Sequence, residues 1–211
     1  ESVAQHWKEA SAYYNMPIDG EVWNEDPLNS SYPPAIAFKA AQLQGSYKAD
    51  QFLRRIKEMV FTERKNITKL EHLVQAAKDT GLDHIQFKFD YRNKAQKLFE
   101  EDLLMVREWG VRGFPTIYFI DGDDNRFKVY GSKPYQVYED ALLKLVPGQV
   151  KKETPSSYET ILKGYNTITL KEFAVFFDKT MEEAGAILQE LERQNKVRRT
   201  ETKAGPLWKV I

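Results

Sequence analysis

Asp121, Asp123 and Asn125 alternate along the chain in the way that oxygen ligands alternate at the start of a calcium-binding loop. Such a loop also needs a glycine at its sixth position and a bidentate glutamate at its twelfth. This chain has Arg126 and Ser132 at those two positions. The run therefore predicts a tight turn between two strands, and no metal site is expected there.

Residues that could act as nucleophiles or general bases are scarce. The chain has no cysteine, so these residues can form no disulfide, thiolate nucleophile or thiolate–metal site. His6, His72 and His84 are too widely spaced to propose a metal site. The sequence contains no nucleophile elbow, dinucleotide-binding fingerprint or phosphate-binding loop. We therefore expect no catalytic residue, no metal and no cofactor, which favours a binding function.

The charge balance argues against a nucleic-acid partner. Lys and Arg together number 31, and Asp and Glu together also number 31, so the formal net charge is zero. Nucleic-acid-binding proteins normally need surplus positive charge to displace counterions from phosphates. A local basic patch stays possible. No run of about 18 apolar residues occurs, so no membrane-spanning helix is predicted.

The first half of the chain is predicted to be a helical bundle, because apolar residues recur there at helical spacing. Ser30 or Ser31 caps a helix that opens on Pro33 and Pro34. A capping-box pattern at residues 68–71 opens another helix. Candidate stop signals are Gly45, Gly81 and Gly110.

The pattern changes at Val111. Residues 116–120 form a continuous β-rich apolar run, as expected of a strand covered on both faces. Residues 126–130 alternate like a second, antiparallel strand, and residues 135–145 have helical spacing. Residues 111–146 are thus a predicted ββα unit that closes the first domain, which spans residues 1–146.

Residues 147–157 are polar and broken by Pro and Gly, and they predict a linker. In the predicted last domain, residues 158–211, capping boxes at 169–172 and 180–183 each open a short helix. A hairpin then runs from Val197 to Ile211. The order of helix, turn, helix and two-stranded wing predicts a winged-helix-like domain.

A winged helix raises the hypothesis of DNA binding. Its second helix would enter the groove, yet it carries four glutamates against a single arginine, and phosphates would repel them. These acidic residues are Glu182, Glu183, Glu190 and Glu192. The wing residues that could contact phosphate are Lys196, Arg198, Arg199 and Lys203. DNA binding is therefore the least favoured of the functions considered.

Several aromatic side chains could serve either as core residues or as interface residues. We expect core positions for both groups. The first group lies beside the long early loop and comprises Tyr13, Tyr14, Trp23 and Tyr32. The second group lies in the last domain and comprises Phe173, Phe176, Phe177 and Trp208.

Residues 110–116, Gly-Val-Arg-Gly-Phe-Pro-Thr, resemble the cis-proline loop of the DsbA branch of the thioredoxin superfamily. The resemblance implies an α/β, mostly helical, thioredoxin-like fold, with residues 1–110 as a helical insertion. It also implies that a βαβ unit precedes Glu1 and carries the Cys-x-x-Cys motif of that superfamily. A thiol–disulfide oxidoreductase with its cysteines in that upstream segment is the alternative function.

The helical insert, the Phe114-Pro115-Thr116 loop and the winged helix together resemble the cytosolic SpxH-type adaptor family. Stretches that support this resemblance lie at residues 35–45, 65–68, 130–132, 137–139 and 205–209. The resemblance implies a cytoplasmic, non-enzymatic adaptor of the stress response. It would bind the regulator Spx and promote Spx degradation by the ClpXP protease downstream.

The residues expected to contact the protein partner lie in and beside the proline loop, which in the thioredoxin superfamily receives an extended peptide by strand addition. These candidate residues are Trp109, Arg112, Phe114, Pro115 and Thr116.

Overall fold

The computed structural model describes residues 2–148, 155, 157–158 and 164–211. The chain divides into two compact units. The first comprises Glu1–Phe99 with Thr154–Ile211, and the second comprises Glu100–Glu153. Most of the predicted linker, residues 147–157, lies outside the described residues. The domain boundaries given above stay predictions.

The first unit begins with a helical body. Its helices are α1 (Val3–Tyr14), α2 (Val22–Glu25), α3 (Tyr32–Gln42), α4 (Ser46–Thr62), α5 (Leu70–Asp79), α6 (His84–Asn93) and α7 (Ala95–Glu108), the last of which continues into the second unit. Ser2 caps α1 by accepting the Gln5 N–H. Pro33 lies in the first turn of α3, as the sequence predicts, and Ser31 is the N-cap residue but forms no side-chain cap hydrogen bond. Within the described residues, no helix is long and apolar enough to cross a membrane.

The core of the helical body is built from the apolar faces of α3 to α6. Phe52 and Met59 of α4, Leu73 of α5 and Phe87 of α6 are fully buried. The rings of Phe52 and Phe87 meet with their centroids 5.2 Å apart. Burying side chains of this size contributes about 1.5–3 kcal/mol each relative to leaving them in water. The helical body therefore has a closed core of its own.

Two predictions for this body are wrong. Thr68 does not cap α5: its hydroxyl donates to the Asn66 side chain, and Lys69 is the N-cap. The core prediction for the early aromatic residues is wrong for Tyr13, Tyr14 and Tyr32, which are exposed, whereas Trp23 is half-buried and packs against the core. Tyr13 follows Ala4, the buried residue of α1, by nine positions, and at about 100° per residue it points to the opposite face.

The C-terminal segment of the first unit forms a second, smaller core. Its elements are β3 (Thr167–Ile168), α9 (Leu170–Phe176), α10 (Met181–Arg193), β4 (Val197–Thr202) and β5 (Gly205–Val210). The strands pair antiparallel in the order β3-β5-β4. Both predicted capping boxes are formed, Thr169 with Glu172 and Thr180 with Glu183. The aromatic residues expected in this core are buried or, for Phe176, half-buried.

Arg54 of α4 ties this segment to the helical body. Its guanidinium binds the Glu172 carboxylate through two bonds of 2.5 and 3.0 Å, and its Nε lies 3.0 Å from Glu58. The same Nε lies 3.2 Å from the Thr167 hydroxyl. A cavity of about 550 Å³ adjoins these side chains. Arg54 therefore makes a polar contact between the helical body and the C-terminal segment.

The second unit contains the last turns of α7, the strands β1 (Thr116–Ile120) and β2 (Arg126–Tyr130), and α8 (Tyr135–Leu145). β1 and β2 form a two-stranded antiparallel sheet, and α8 packs on it. The expectation that β1 is covered on both faces is wrong for the described residues, because Ile117 and Ile120 are 40% and 45% exposed. A sheet of two strands offers too few neighbours to cover both faces.

Candidate partner-binding site

The segment of residues 110–116, here named the Phe114 loop, connects α7 to β1. Gly110 ends the helix in the left-handed region, with φ +61°, and the Val111 N–H donates to the Val106 carbonyl at 3.0 Å. That bond is the 6→1 bond of a Schellman motif, in which glycine is favoured because it has no Cβ. The end of α7 thereby sets the direction in which the loop starts.

The far side of the loop is fixed by the hairpin. The Thr116 hydroxyl donates to the Gly113 carbonyl at 2.6 Å, and the Gly131 N–H donates to the Pro115 carbonyl at 2.8 Å. The Phe114–Pro115 peptide bond is cis, as the loop resemblance implies. These bonds hold the backbone on either side of the proline.

Phe114 projects into solvent from this fixed backbone. Its side chain is 83% exposed, the largest exposure among the exposed large hydrophobic residues of the described chain. Arg112 and Pro115 on either side of it are exposed as well. Burying an aromatic side chain of this size against another protein is a strong driving force for association.

Trp109 and Thr116, the other two predicted contact residues, are half-buried. The Trp109 ring lies edge-on to Tyr118 with centroids 5.0 Å apart, and the Arg126 guanidinium lies 4.4 Å from its ring centre. The structure thus brings all five predicted residues into one short segment, but Trp109 faces the hairpin.

The hairpin residues that contact Trp109 and the start of the loop were not predicted from the sequence. Tyr118, Arg126 and Lys128 lie on one face, since Tyr118 pairs with Lys128 and Ile120 pairs with Arg126 in the strand register. The alternation of residues 126–130 was the signal that could have located them. Gly113 also has a steric role, because a Cβ there would lie 2.9 Å from the Tyr130 hydroxyl.

The acidic turn of the hairpin is a structural turn. The Asp121 carboxylate accepts the N–H groups of Asp123 and Asn125 at 2.9 and 2.8 Å and the Asn125 side-chain amide at 2.7 Å. The Asn125 side-chain bond, with these backbone bonds, lowers the pKa of Asp121. Across the described residues, no three His, Cys, Asp or Glu side chains come together in a group able to hold a metal ion.

Comparisons with known proteins relate this geometry to a family. A protein-family model described as Thioredoxin matches residues 2–140. The ClpXP adapter protein SpxH of Halalkalibacterium halodurans is 35% identical over 214 residues, which cover all of this chain and 70% of that protein. The Bacillus subtilis ClpXP adapter protein SpxH is 34% identical, over 99% of this chain and 72% of that protein.

The chain belongs to the SpxH family of ClpXP adapter proteins. Two solved structures show the fold of this SpxH-family chain. A putative protein disulfide isomerase from Nitrosomonas europaea matches with a TM-score of 0.56 and 19% identity, over 67% of this chain and 69% of that one. The cytosolic disulfide reductase DsbM from Pseudomonas aeruginosa matches with a TM-score of 0.54 and 19% identity, over 68% and 73%. The fold is therefore thioredoxin-like and mostly helical.

Proposed function

We propose that this chain is an adapter that binds the regulator Spx through the Phe114 loop and promotes Spx degradation by ClpXP. The observation that carries the proposal is the 83% exposure of Phe114 on a loop whose backbone is hydrogen-bonded on both sides of the proline. A large aromatic side chain on an ordered backbone is the usual form of a binding hot spot, because little ordering is lost on association. Membership of the SpxH family supports the choice of partner.

The proposal assigns different tasks to the loop residues. Phe114 is the anchor, and Arg112 and Pro115 make contacts on either side of it. Thr116 starts β1, whose outer edge has no neighbouring strand among the described residues. Trp109 packs against the hairpin and holds the end of the chain from which the loop starts. No cofactor takes part, and the adapter acts in the cytoplasm.

Two finer features of the fold belong to the same proposal. The helices α9 and α10 with the hairpin β4–β5 have the order of a winged-helix domain, and we assign them to protein contacts. A βαβ unit that pairs with the hairpin and covers Ile117 and Ile120 would complete the sheet of a thioredoxin-like domain. The exposure of these two apolar residues supports that assignment.

Neither alternative function is favoured by the site. The residues of this chain include no cysteine, so they supply no thiol for an oxidoreductase. On α10, two of the glutamates have structural roles: Glu183 caps the helix through Thr180, and Glu192 accepts the Arg199 N–H at 2.9 Å. The negative charges of this helix would repel the phosphates of DNA.

The direct test is the Phe114→Asp variant. A carboxylate placed in the contact would have to lose its hydration without a partner, and that cost weakens binding. We expect the affinity for purified Spx in titration calorimetry to fall at least about tenfold, which corresponds to about 1.4 kcal/mol. Spx degradation by ClpXP in the presence of the variant should slow in parallel.

Phe89→Asp is the matched control, because Phe89 is another exposed phenylalanine, 54% accessible on α6. It introduces the same charge at a position outside the loop and should leave Spx affinity unchanged. Equal affinities for the Phe114→Asp variant and the unmodified protein, with helical content intact, would remove the loop from the binding site.

A further inference from the structure

A ladder of aromatic and cationic side chains joins the Phe114 loop to the hairpin. It consists of Trp109, Tyr118, Arg126 and Lys128. The Arg126 guanidinium stacks on Trp109 at 4.4 Å, Trp109 meets Tyr118 edge-on at 5.0 Å, and the Lys128 ammonium lies 5.6 Å from the Tyr118 ring centre. Each cation at the two ends of the ladder is attracted to its ring, because a ring face carries negative charge density.

The ladder also binds the backbone of Trp109, immediately before the loop, and of Gly110, the first residue of the loop. The Tyr118 hydroxyl donates to the Trp109 carbonyl at 2.6 Å, and the Lys128 ammonium donates to the Gly110 carbonyl at 3.2 Å. Both carbonyls lie where α7 ends, and carbonyls at a helix end have no partner within the helix. The side of the loop that precedes Phe114 is therefore held by side chains of the hairpin.

Arg126 is itself oriented from the hairpin turn. Its Nε donates to the Asp124 Oδ1 at 3.1 Å and its Nη2 donates to the Asp124 Oδ2 at 2.8 Å, and Asp124 has a left-handed backbone with φ +62°. A two-pronged bond of this kind fixes the plane of a guanidinium as well as its position. The turn thus fixes the orientation of the Arg126 guanidinium, which lies over the Trp109 ring. Trp109 is the residue immediately before the loop.

We propose that Arg126 and Trp109 are positioning residues that hold the loop in its binding conformation before the partner arrives. The inference rests on the proposed function, since it concerns how the same loop presents Phe114. A loop already ordered in the free protein loses less conformational entropy on association. Arg126 thus strengthens binding by acting through Phe114, without touching the partner.

The test is a double-mutant cycle between Arg126 and Phe114, with affinity for purified Spx measured by titration calorimetry. The variants are Arg126→Ala, Phe114→Ala and the double variant. Because Arg126 acts through Phe114, we expect Arg126→Ala to weaken binding about fivefold to tenfold alone and to add almost nothing on the Phe114→Ala background. Arg126→Lys keeps a cation near Trp109 and should recover part of the affinity.

A second readout separates positioning from general destabilisation. Amide hydrogen exchange in the free protein should speed up across residues 110–116 in Arg126→Ala, while α8 keeps its protection. Lys144→Ala is the matched control, since it removes another cation–ring contact of the same unit, 4.8 Å from the centre of Phe127. It should change neither the exchange of the loop nor the affinity.

The outcomes distinguish the inference from the function on which it rests. If Phe114→Ala leaves Spx affinity unchanged, the loop is not the binding site and both proposals fall. If Phe114→Ala weakens binding while Arg126→Ala behaves like Lys144→Ala, the positioning role is overturned and the binding site stands. Equal losses from Arg126→Ala on both backgrounds would also overturn it, because Arg126 would then contact the partner directly.

Discussion

The two compact units differ in how completely they bury their apolar residues. In the helical body, Phe52, Met59, Leu73 and Phe87 are fully buried. Within the described part of the second unit, residues 100–148, Val129 and Ala141 are the only buried apolar residues. The first unit therefore has a closed core, and the second displays apolar side chains on strands and loop.

Under the proposed function, this difference separates the unit that contributes most of the buried core from the unit that would bind the partner. A closed core lowers the free energy of the folded state, but the side chains buried in it are not accessible to another protein. The second unit keeps Phe114 and Ile117 accessible on a backbone ordered by hydrogen bonds and by the Trp109 stack. Exposed apolar residues on an ordered backbone are what a docking surface needs.

The largest expected difference in stability is between truncating a buried phenylalanine of the first unit and an exposed phenylalanine of the second. Phe52→Ala removes a fully buried ring and leaves a cavity, so it should lower the free energy of unfolding by about 3–5 kcal/mol. Phe114→Ala should change that free energy by less than about 0.5 kcal/mol, because its ring is mostly in solvent. Denaturant unfolding followed by circular dichroism measures both. Similar losses from the two variants would contradict the contrast between the units.

The second prediction compares an arginine from each unit. Arg54 is 22% exposed in its side chain and binds Glu58 and Glu172, whereas Arg126 is 38% exposed and binds Asp124. Arg54→Ala leaves two carboxylates with fewer partners and should lower the free energy of unfolding by about 1–3 kcal/mol. Arg126→Ala should cost less than about 1 kcal/mol, because exposed ion pairs contribute little.

Hydrogen exchange locates the effect of Arg54. Residues 167–172 should exchange faster in Arg54→Ala than in the unmodified protein, since Arg54 holds Thr167 and Glu172 against α4. Arg193→Ala, which removes an exposed pair with Glu190, is the control and should leave these residues protected. Unchanged exchange in Arg54→Ala would mean that apolar contacts alone dock the C-terminal segment.

The smallest expected effect is a dependence on pH. Burial would raise the pKa of Glu172, but the hydrogen bond and charge of Arg54, with the Thr169 bonds, lower it below its ordinary value of 4.5. A carboxylate with a lowered folded pKa contributes stability that is complete above about pH 4.5 and is lost as the pH falls through the folded value. Glu172→Gln should therefore be more destabilising at about pH 7 than at about pH 3.

Asp121 in the second unit is a second carboxylate whose pH dependence can be compared with that of Glu172. Its pKa is also lowered, mainly by the Asn125 side chain, but the partners of its carboxylate are neutral groups, whereas Glu172 is bound by a guanidinium. Asp121→Asn should therefore show a smaller change with pH than Glu172→Gln in the same unfolding experiment, because hydrogen bonds to neutral donors are weaker than those to a charged donor. A gap between Glu172→Gln and the unmodified protein that stays constant with pH would contradict the assigned role of Glu172.

Local patterns were enough to predict many elements of this fold. The capping boxes at Thr169 and Thr180 and the hairpin turn at Asp121 involve partners two to four residues away. Such bonds form whenever the chain adopts the local geometry, so residue types and spacing reveal them. The Phe114 loop was found through its resemblance to the cis-proline loop of the DsbA branch, a short pattern in which glycine permits a left-handed backbone and proline fixes φ.

In a few places, a side chain that matches a local pattern bonds a different neighbour, and the predicted contact does not form. Thr68 matches a capping box, but Asn66 takes its hydroxyl, and the Asn66 amide also reaches the Pro27 carbonyl at 3.0 Å. A longer network of this kind outweighs a single cap. The exposed Tyr13 shows a related failure, because composition predicts that aromatic residues are buried without saying which helix face meets the core.

The amino-acid sequence was enough to predict most helices, the two hairpins, the absence of thiol chemistry in these residues and the loop that carries Phe114, but not α2, α6 or β3. Only the tertiary structure decided that Arg54 meets Glu172, 118 residues away, and that Arg126 stacks on Trp109. It also decided that Trp109 faces the hairpin while Phe114 faces solvent. The physical reason is that caps and turns depend on a few neighbouring residues, whereas burial and side-chain pairing depend on which surfaces packing brings together.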